Sequence, residues 1–142
     1  IFISNLIKIN FDKFNNKKII LDIKLNSNNE EPSIFPKDEI VYALGNIIQN
    51  AIQHSKIKVI SEIKWNNTEF FIKIVDDGDG FKTDILEQIG KPYISKNSTG
   101  MGLGIFIAKN LIENISGSIN FTNDKLGGGV VEIKIKRANL SK

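Results

Sequence analysis

The chain has 142 residues, 41% hydrophobic and 25% charged, with a formal net charge of +3, the composition expected of a soluble globular domain with one core. It contains no cysteine, which excludes disulfides, thiolate zinc sites and cysteine nucleophiles from these residues. No apolar run approaches the roughly 18 residues of a membrane span, and the positive charge is scattered lysine with Arg137 the only arginine, so no nucleic-acid-binding stripe is expected.

The chain opens on Ile1 and its only methionine is Met101, so a piece of a longer protein is expected. Residues 2–14 place Phe2, Ile3, Leu6, Ile7, Ile9, Phe11 and Phe14 at helical spacing, and 17–25 read as a strand. A polar loop with a proline follows at 26–33. Residues 38–54 predict a helix, with Ile40, Leu44, Ile47, Ile48 and Ala51 on one stripe and Asp38 as its N-cap. Ile57, Val59, Ile63 and Trp65 alternate along a strand over 57–65, and a second strand over 69–76 is joined to it through Asn66-Asn67. A short helix at 83–89 leads to a polar, glycine-bounded loop at 90–100, read as a lid over a ligand. The next helix, 102–115, carries Gly104, Ile107, Ala108, Leu111, Ile112 and Ile115 on one stripe. Strands at 118–123 and 130–136 close the chain around a turn at Gly127–Gly129. Strands that mostly neighbour one another predict an α+β two-layer sandwich, a mixed and mostly antiparallel sheet with helices on one face. Nothing divides residues 1–142 into more than one domain.

Three features stand apart from this scaffold. Asn46 and Asn50 lie four residues apart on the 38–54 helix, with His54 one turn further on. Asparagine is a poor helix former, so a polar line beside the apolar stripe suggests a ligand, and amide oxygens suit a hard cation such as Mg²⁺. In a chain this rich in asparagine, chance placement is the plain alternative. The second feature is "VDDGDG" (75–80), where Asp76 ends a strand on the face of Ile72 and Ile74. A carboxylate there needs a hydrogen-bond donor; the exocyclic amine of a nucleobase is one, with Gly78 and Gly80 letting a flat ring approach. The stretch is no calcium loop, since Val75 and Leu86 occupy positions that need acids. An ordinary turn is the alternative. The third is "GMGLG" (100–104), which is neither a dinucleotide fingerprint nor a Walker loop, because Ile105 stands where glycine is required and no Gly-Lys-Ser/Thr occurs. Glycines at a helix N-terminus leave backbone N–H groups open to phosphate oxygens, and Lys91 and Lys96 just before could add charge. A flexible helix entry is the alternative.

In this order, "NIIQNAIQHS", "DDGDG" and "GMGLG" resemble the N, G1 and G2 boxes of the ATP-binding domain of sensor histidine kinases, in the superfamily shared with DNA gyrase, Hsp90 and the mismatch-repair ATPases. "ALGNIIQNA", "IGKPYISK", "GMGLGIFIAKNLIE" and "GGGVVEI" look like the redox-responsive Reg/Prr type. The resemblance implies the left-handed α/β sandwich of that superfamily and binding of ATP with Mg²⁺. It implies Asn50 as the Mg²⁺ ligand supported by Asn46, and Asp76 as reader of the adenine amine. Gly78 and Gly80 would shape the base pocket with His54 nearby, and Gly100, Met101, Gly102, Leu103 and Gly104 the phosphate side. Many members carry lysine where Gln53 stands, so phosphate charge would come from elsewhere, Lys96 being one source. The phosphoacceptor histidine segment is absent, so this part would present the γ-phosphate to a histidine on a separate dimerisation domain of the parent kinase, and a response regulator would follow. The piece alone would be monomeric and cytoplasmic, whether or not the parent is membrane-anchored.

Alternatives remain at this level. A gyrase- or Hsp90-type hydrolase would need a carboxylate base where Asn46 stands, and an amide cannot take a proton from water. An anti-sigma-type serine kinase of the same superfamily and a non-catalytic nucleotide-binding or interaction module are further readings.

Overall fold

Strand alternation and helical periodicity each turn one apolar face inward, and the structure, a computed structural model that describes residues 1–89 and 103–142, joins those faces into a helical layer on a five-stranded sheet. The elements are α1 (Ile3–Phe14), β1 (Ile20–Leu25), α2 (Asp38–His54), β2 (Lys58–Trp65), β3 (Glu69–Asp76), α3 (Thr83–Ile89), α4 (Leu103–Asn114), β4 (Ser118–Asn123) and β5 (Gly129–Lys136), followed by a 3₁₀ turn at Arg137–Leu140. The strand order is β1-β2-β3-β5-β4. β1 runs parallel to β2 and the other pairs are antiparallel. A parallel pair needs a crossover, and α2 supplies it. The fold is therefore α+β with a mixed, mostly antiparallel sheet, as expected.

Val59, Ile63 and Trp65 of β2, Phe70, Ile72 and Ile74 of β3, and Val131, Ile133 and Ile135 of β5 form the buried face. Opposite them lie Ile3, Leu6, Ile7 and Phe11 of α1, the predicted stripe of α2, and Ala108 and Ile112 of α4. The helix α2 is central, touching α1, α4 and β3. The other sheet face carries charged residues such as Glu62, Lys64, Lys73, Glu132 and Lys134. Among the described residues no helix is long and apolar enough to cross a membrane.

Several local expectations change. Lys37, not Asp38, occupies the N-cap of α2 and gives no side-chain cap; Asp38 and Glu39 begin the helix, where their charge meets its positive end. The first strand starts at Ile20, because the chain turns at Lys17-Lys18. Phe2, Ile9 and Ile57 are exposed. On α4 the stripe is rotated: Ile107 faces solvent, while Ile105 and Phe106 turn inward and meet Ile89 in a second apolar cluster bordered by Phe81, Ile85, Leu86 and Phe121. That rotation gives the site its wall.

The central position of α2 has a measurable cost when disturbed. Ile48→Ala, at a fully buried site, is expected to lower the unfolding free energy by about 3 kcal/mol. Ile9→Ala, on the exposed side of α1, should change it by less than about 0.5 kcal/mol. Urea denaturation of the two variants checks the contrast.

Candidate functional site

Asp76 continues the buried row of Ile72 and Ile74 and is only 7% exposed. A carboxylate on that face must be met by donors, and backbone amides meet half of it. Oδ1 accepts from Gly78 N–H at 2.9 Å and Gly129 N–H at 3.2 Å, whereas Oδ2 takes no hydrogen bond among the described residues. Burial pushes the Asp76 carboxyl above its ordinary value of 3.8, against the two amides and nearby His54, which favour its charge.

Glycines make this cradle possible. A Cβ on Gly78 would land on the His54 carbonyl, one on Gly128 on the Asp76 carbonyl, and one on Gly129 would stand 2.8 Å from Asp76 Oδ2 and 3.0 Å from the Phe81 ring. Gly80 adopts φ +84° and abuts the carbonyl of Gly127, so the G1 turn and the β4–β5 hairpin are in backbone contact. Asn123 locks that contact: its Oδ1 accepts from Phe81 N–H at 2.7 Å and its Nδ2 donates to Phe81 C=O at 3.0 Å. Asp77, the exposed neighbour, binds the start of β2, accepting from the amides of Lys56, Ile57 and Lys58 at 2.6–3.2 Å. Burial opposes its charge, but those amides outweigh it and hold the Asp77 carboxyl below 3.8.

Asp76 forms part of the lining of a cleft of about 330 Å³ together with Asn50, His54, Asp79, Gly80, Phe81, Lys82, Ile85 and Ile105, within the usual size of a small-molecule site. Phe81, set edge-on to Phe121 with ring centroids 5.8 Å apart, joins Ile85 and Ile105 as the apolar wall. Asn50 and His54 come from the last two turns of α2. The Asn50 amide makes no hydrogen bond among the described residues, which leaves its oxygen available to a ligand or a hard cation.

The cleft thus brings together Asn50, His54, Asp76 and Gly80, with Gly78 behind them. Asn46 stands one turn back from Asn50, donating from Nδ2 to the Tyr42 carbonyl at 3.0 Å, and its Oδ1 lies 3.4 Å from where a Gly104 Cβ would be. It therefore sits where α2 meets the start of α4 and is not part of the cleft lining. Leu103 opens α4 and is exposed. Gln53 is exposed and does not line the cleft. Lys91, Lys96, Gly100, Met101, Gly102 and the proposed lid at 90–100 lie outside the described residues.

Phe81, Lys82, Ile85, Ile105, Asn123, Gly128 and Gly129 were not legible as site residues. The signal for two of them was the "GGG" run opening β5, which reads as a turn until its strand is paired with β3. Asn123 carried no local signal, because its partner is 42 residues away.

Residues 36–139 match the family described as histidine kinase-, DNA gyrase B-, and HSP90-like ATPase. Sensor histidine kinase RegB of Cereibacter sphaeroides is 34% identical over 104 residues, 66% of this chain and 22% of that protein. Sporulation kinase B of Bacillus subtilis is 30% identical over 99 residues, 70% of this chain and 23% of that protein. The chain spans about a fifth to a quarter of the length of these curated relatives. Among solved structures, the nucleotide-free catalytic domain of histidine kinase ThkA aligns with a TM-score of 0.78 at 23% identity, covering 96% of this chain and 93% of that one. The mycobacterial sensor histidine kinase MprB aligns at 0.73 with 14% identity, covering 96% and 95%. At those identities the structures speak for the fold.

Two substitutions probe the frame around Asp76. Gly78→Ala places a methyl on the His54 carbonyl and is expected to cost about 2–4 kcal/mol in urea denaturation. Asp77→Ala should cost about 1 kcal/mol at pH 7, allowing for its exposure. The folded Asp77 titrates below 3.8, so its stabilisation is complete above that value and is lost as pH falls through the lower, folded one. Stability measured against pH should show wild type and Asp77→Ala converging in that acid range.

Proposed function

This chain belongs to the histidine kinase-, DNA gyrase B- and HSP90-like ATPases, and from that premise we propose that it binds Mg·ATP and presents the γ-phosphate to a histidine on a separate phosphoacceptor domain of a two-component sensor kinase. The observation that carries the reading is the half-satisfied Asp76 carboxylate. Its Oδ1 is occupied by two backbone amides, and Oδ2 is left at the cleft as an acceptor for one more N–H, a demand the exocyclic amine of adenine meets. Phe81, Ile85 and Ile105 offer the flat, apolar surroundings a base requires, and Gly129 leaves the space between Asp76 Oδ2 and the Phe81 ring free of a side chain.

Away from the base, Asn50 is the proposed Mg²⁺ ligand through its amide oxygen. Mg²⁺ would neutralise phosphate charge there and keep several waters. Asn46 lies beside the start of α4, its Oδ1 3.4 Å from where a Gly104 Cβ would stand. The N-terminus of α4 would offer the phosphates the positive end of its dipole and backbone N–H groups. Transfer breaks the bond between the γ-phosphorus and the bridging β–γ oxygen and forms one to a nitrogen of the acceptor histidine, releasing ADP. Positioning supplies most of the rate in such a step. Asn46, an amide where a hydrolase needs a base, favours transfer to a protein over transfer to water. The similarity to RegB and sporulation kinase B supports a sensor kinase as the parent, with a response regulator downstream.

Calorimetric titration with ATP and ADP, with and without Mg²⁺, tests the reading. Asp76→Asn replaces the acceptor with a donor and should weaken adenine-nucleotide binding by more than roughly tenfold. Without nucleotide it should be at least as stable at pH 7, because the buried charge is gone. A destabilised Asp76→Asn that still binds ATP would sink the proposal. Asn50→Ala should abolish the gain in affinity from Mg²⁺ while leaving Mg²⁺-free binding within about threefold. The pH dependence has a defined sign. Binding needs the ionised Asp76, whose folded value is raised above 3.8, so affinity should fall on acidification while still above the ordinary aspartate range.

A further inference from the structure

The last two turns of α2 carry the cleft residues Asn50 and His54, and the carbonyls at their end are held by a side chain from another part of the chain. Lys17 Nζ donates to the carbonyls of Ile52 at 3.2 Å, Gln53 at 3.0 Å and Ser55 at 2.9 Å, which uses all three of its N–H groups. These oxygens belong to the end of the helix, where intrahelical donors run out and the dipole is negative. The turn that delivers Lys17 is a built one. Asn15 clamps Ile19 in both directions, accepting from its N–H at 2.9 Å and donating to its C=O at 2.8 Å. Between them Lys18 adopts φ +58°, a left-handed conformation that a side chain adopts only where its surroundings impose it.

We propose that Lys17 is a positioning residue for the cleft, an inference that rests on the nucleotide reading above. It does not reach the ligand. It fixes the carbonyls on either side of His54, so that His54 and Asn50 hold their place, and its charge offsets the negative helix end beside a site that already contains Asp76 and Asp79. An anionic ligand gains from both effects, more so where Gln53 brings no charge of its own to the cleft.

His54 is the only histidine in the chain, so its ring resonances report on this turn without ambiguity. Lys17→Met keeps the stem and removes the ammonium. It should bind Mg·ATP roughly fivefold more weakly in calorimetry well below its unfolding temperature and should move the His54 ring resonances of the nucleotide-free protein. Lys17→Arg should recover most of the affinity. Asn15→Ala, which frees the turn but keeps the ammonium, should shift affinity and resonances in the same direction as Lys17→Met. Wild-type binding with unchanged affinity in Lys17→Met overturns the inference and leaves the nucleotide reading standing, as does a loss of thermal stability with His54 unmoved. A wild type that binds no ATP overturns the nucleotide reading, and the inference falls with it.

Discussion

Burying a carboxylate beside Ile72 and Ile74 costs several kcal/mol of solvation unless its oxygens are met, and the open end of the sheet is arranged around that demand. The donors come from opposite ends of the chain's connectivity. Gly78 N–H belongs to the turn directly after β3, and Gly129 N–H to β5, 53 residues beyond Asp76. Both amides can reach Oδ1 only because neither residue has a side chain. What remains is an acceptor whose desolvation has already been met by the folding of the protein. A ligand donor that reaches it meets an acceptor already held in place by two backbone amides, so little ordering is left for binding, which is how preorganised polar groups produce specificity.

The surroundings of that acceptor are energetically separate from the main core. Ile89, Ile105 and Phe106 form their own small cluster, linked to the larger one through Phe81 and Phe121, which border both. Small satellite clusters open at lower free energy than a central core. The wall of the cleft is therefore expected to open before α2, whose buried stripe belongs to the main core. The polar residues of the site sit at the ends of α2 and β3, against the main core, and the apolar ones belong to or border the smaller cluster.

Periodicity made most of the fold legible: among the described residues, α1–α4 and β1–β5 lie where they were expected, to within a few residues. The stripe of α2 and the row ending in Asp76 were readable because local pattern and tertiary burial agree there. On α4 they conflict, since the helix packs against α2 on one side and the cleft cluster on the other. A single stripe cannot describe a helix with two apolar contacts, so Ile107 was placed inward and Ile105 missed. Asp38 was misread as a cap because the last extended residue is Lys37, with ψ 146°, so the helix begins one residue earlier than a cap at Asp38 requires. The missed site residues share one property: each acts through a contact made by sheet pairing or hairpin docking. Gly129 means nothing until β5 lies beside β3, and Asn123 nothing until its hairpin meets Phe81.

Surface hairpins normally accept insertions, because loop closure costs little for each added residue. The hairpin between β4 and β5 has no such latitude on one side. Gly127 and Gly128 touch the backbone at Gly80 and Asp76, and Asn123 holds Phe81, while Leu126 at the tip is 95% exposed. Related chains should therefore vary in what occupies the tip and keep its length and register, whereas the exposed residues Asn28, Asn29 and Glu30, between Ser27 bonded to Trp65 and Glu31 bonded to Ser4, have room to grow or shrink. The spacing between Asn123 and Gly129 is a ruler for the cleft, and a tag or fused domain belongs in the other loop.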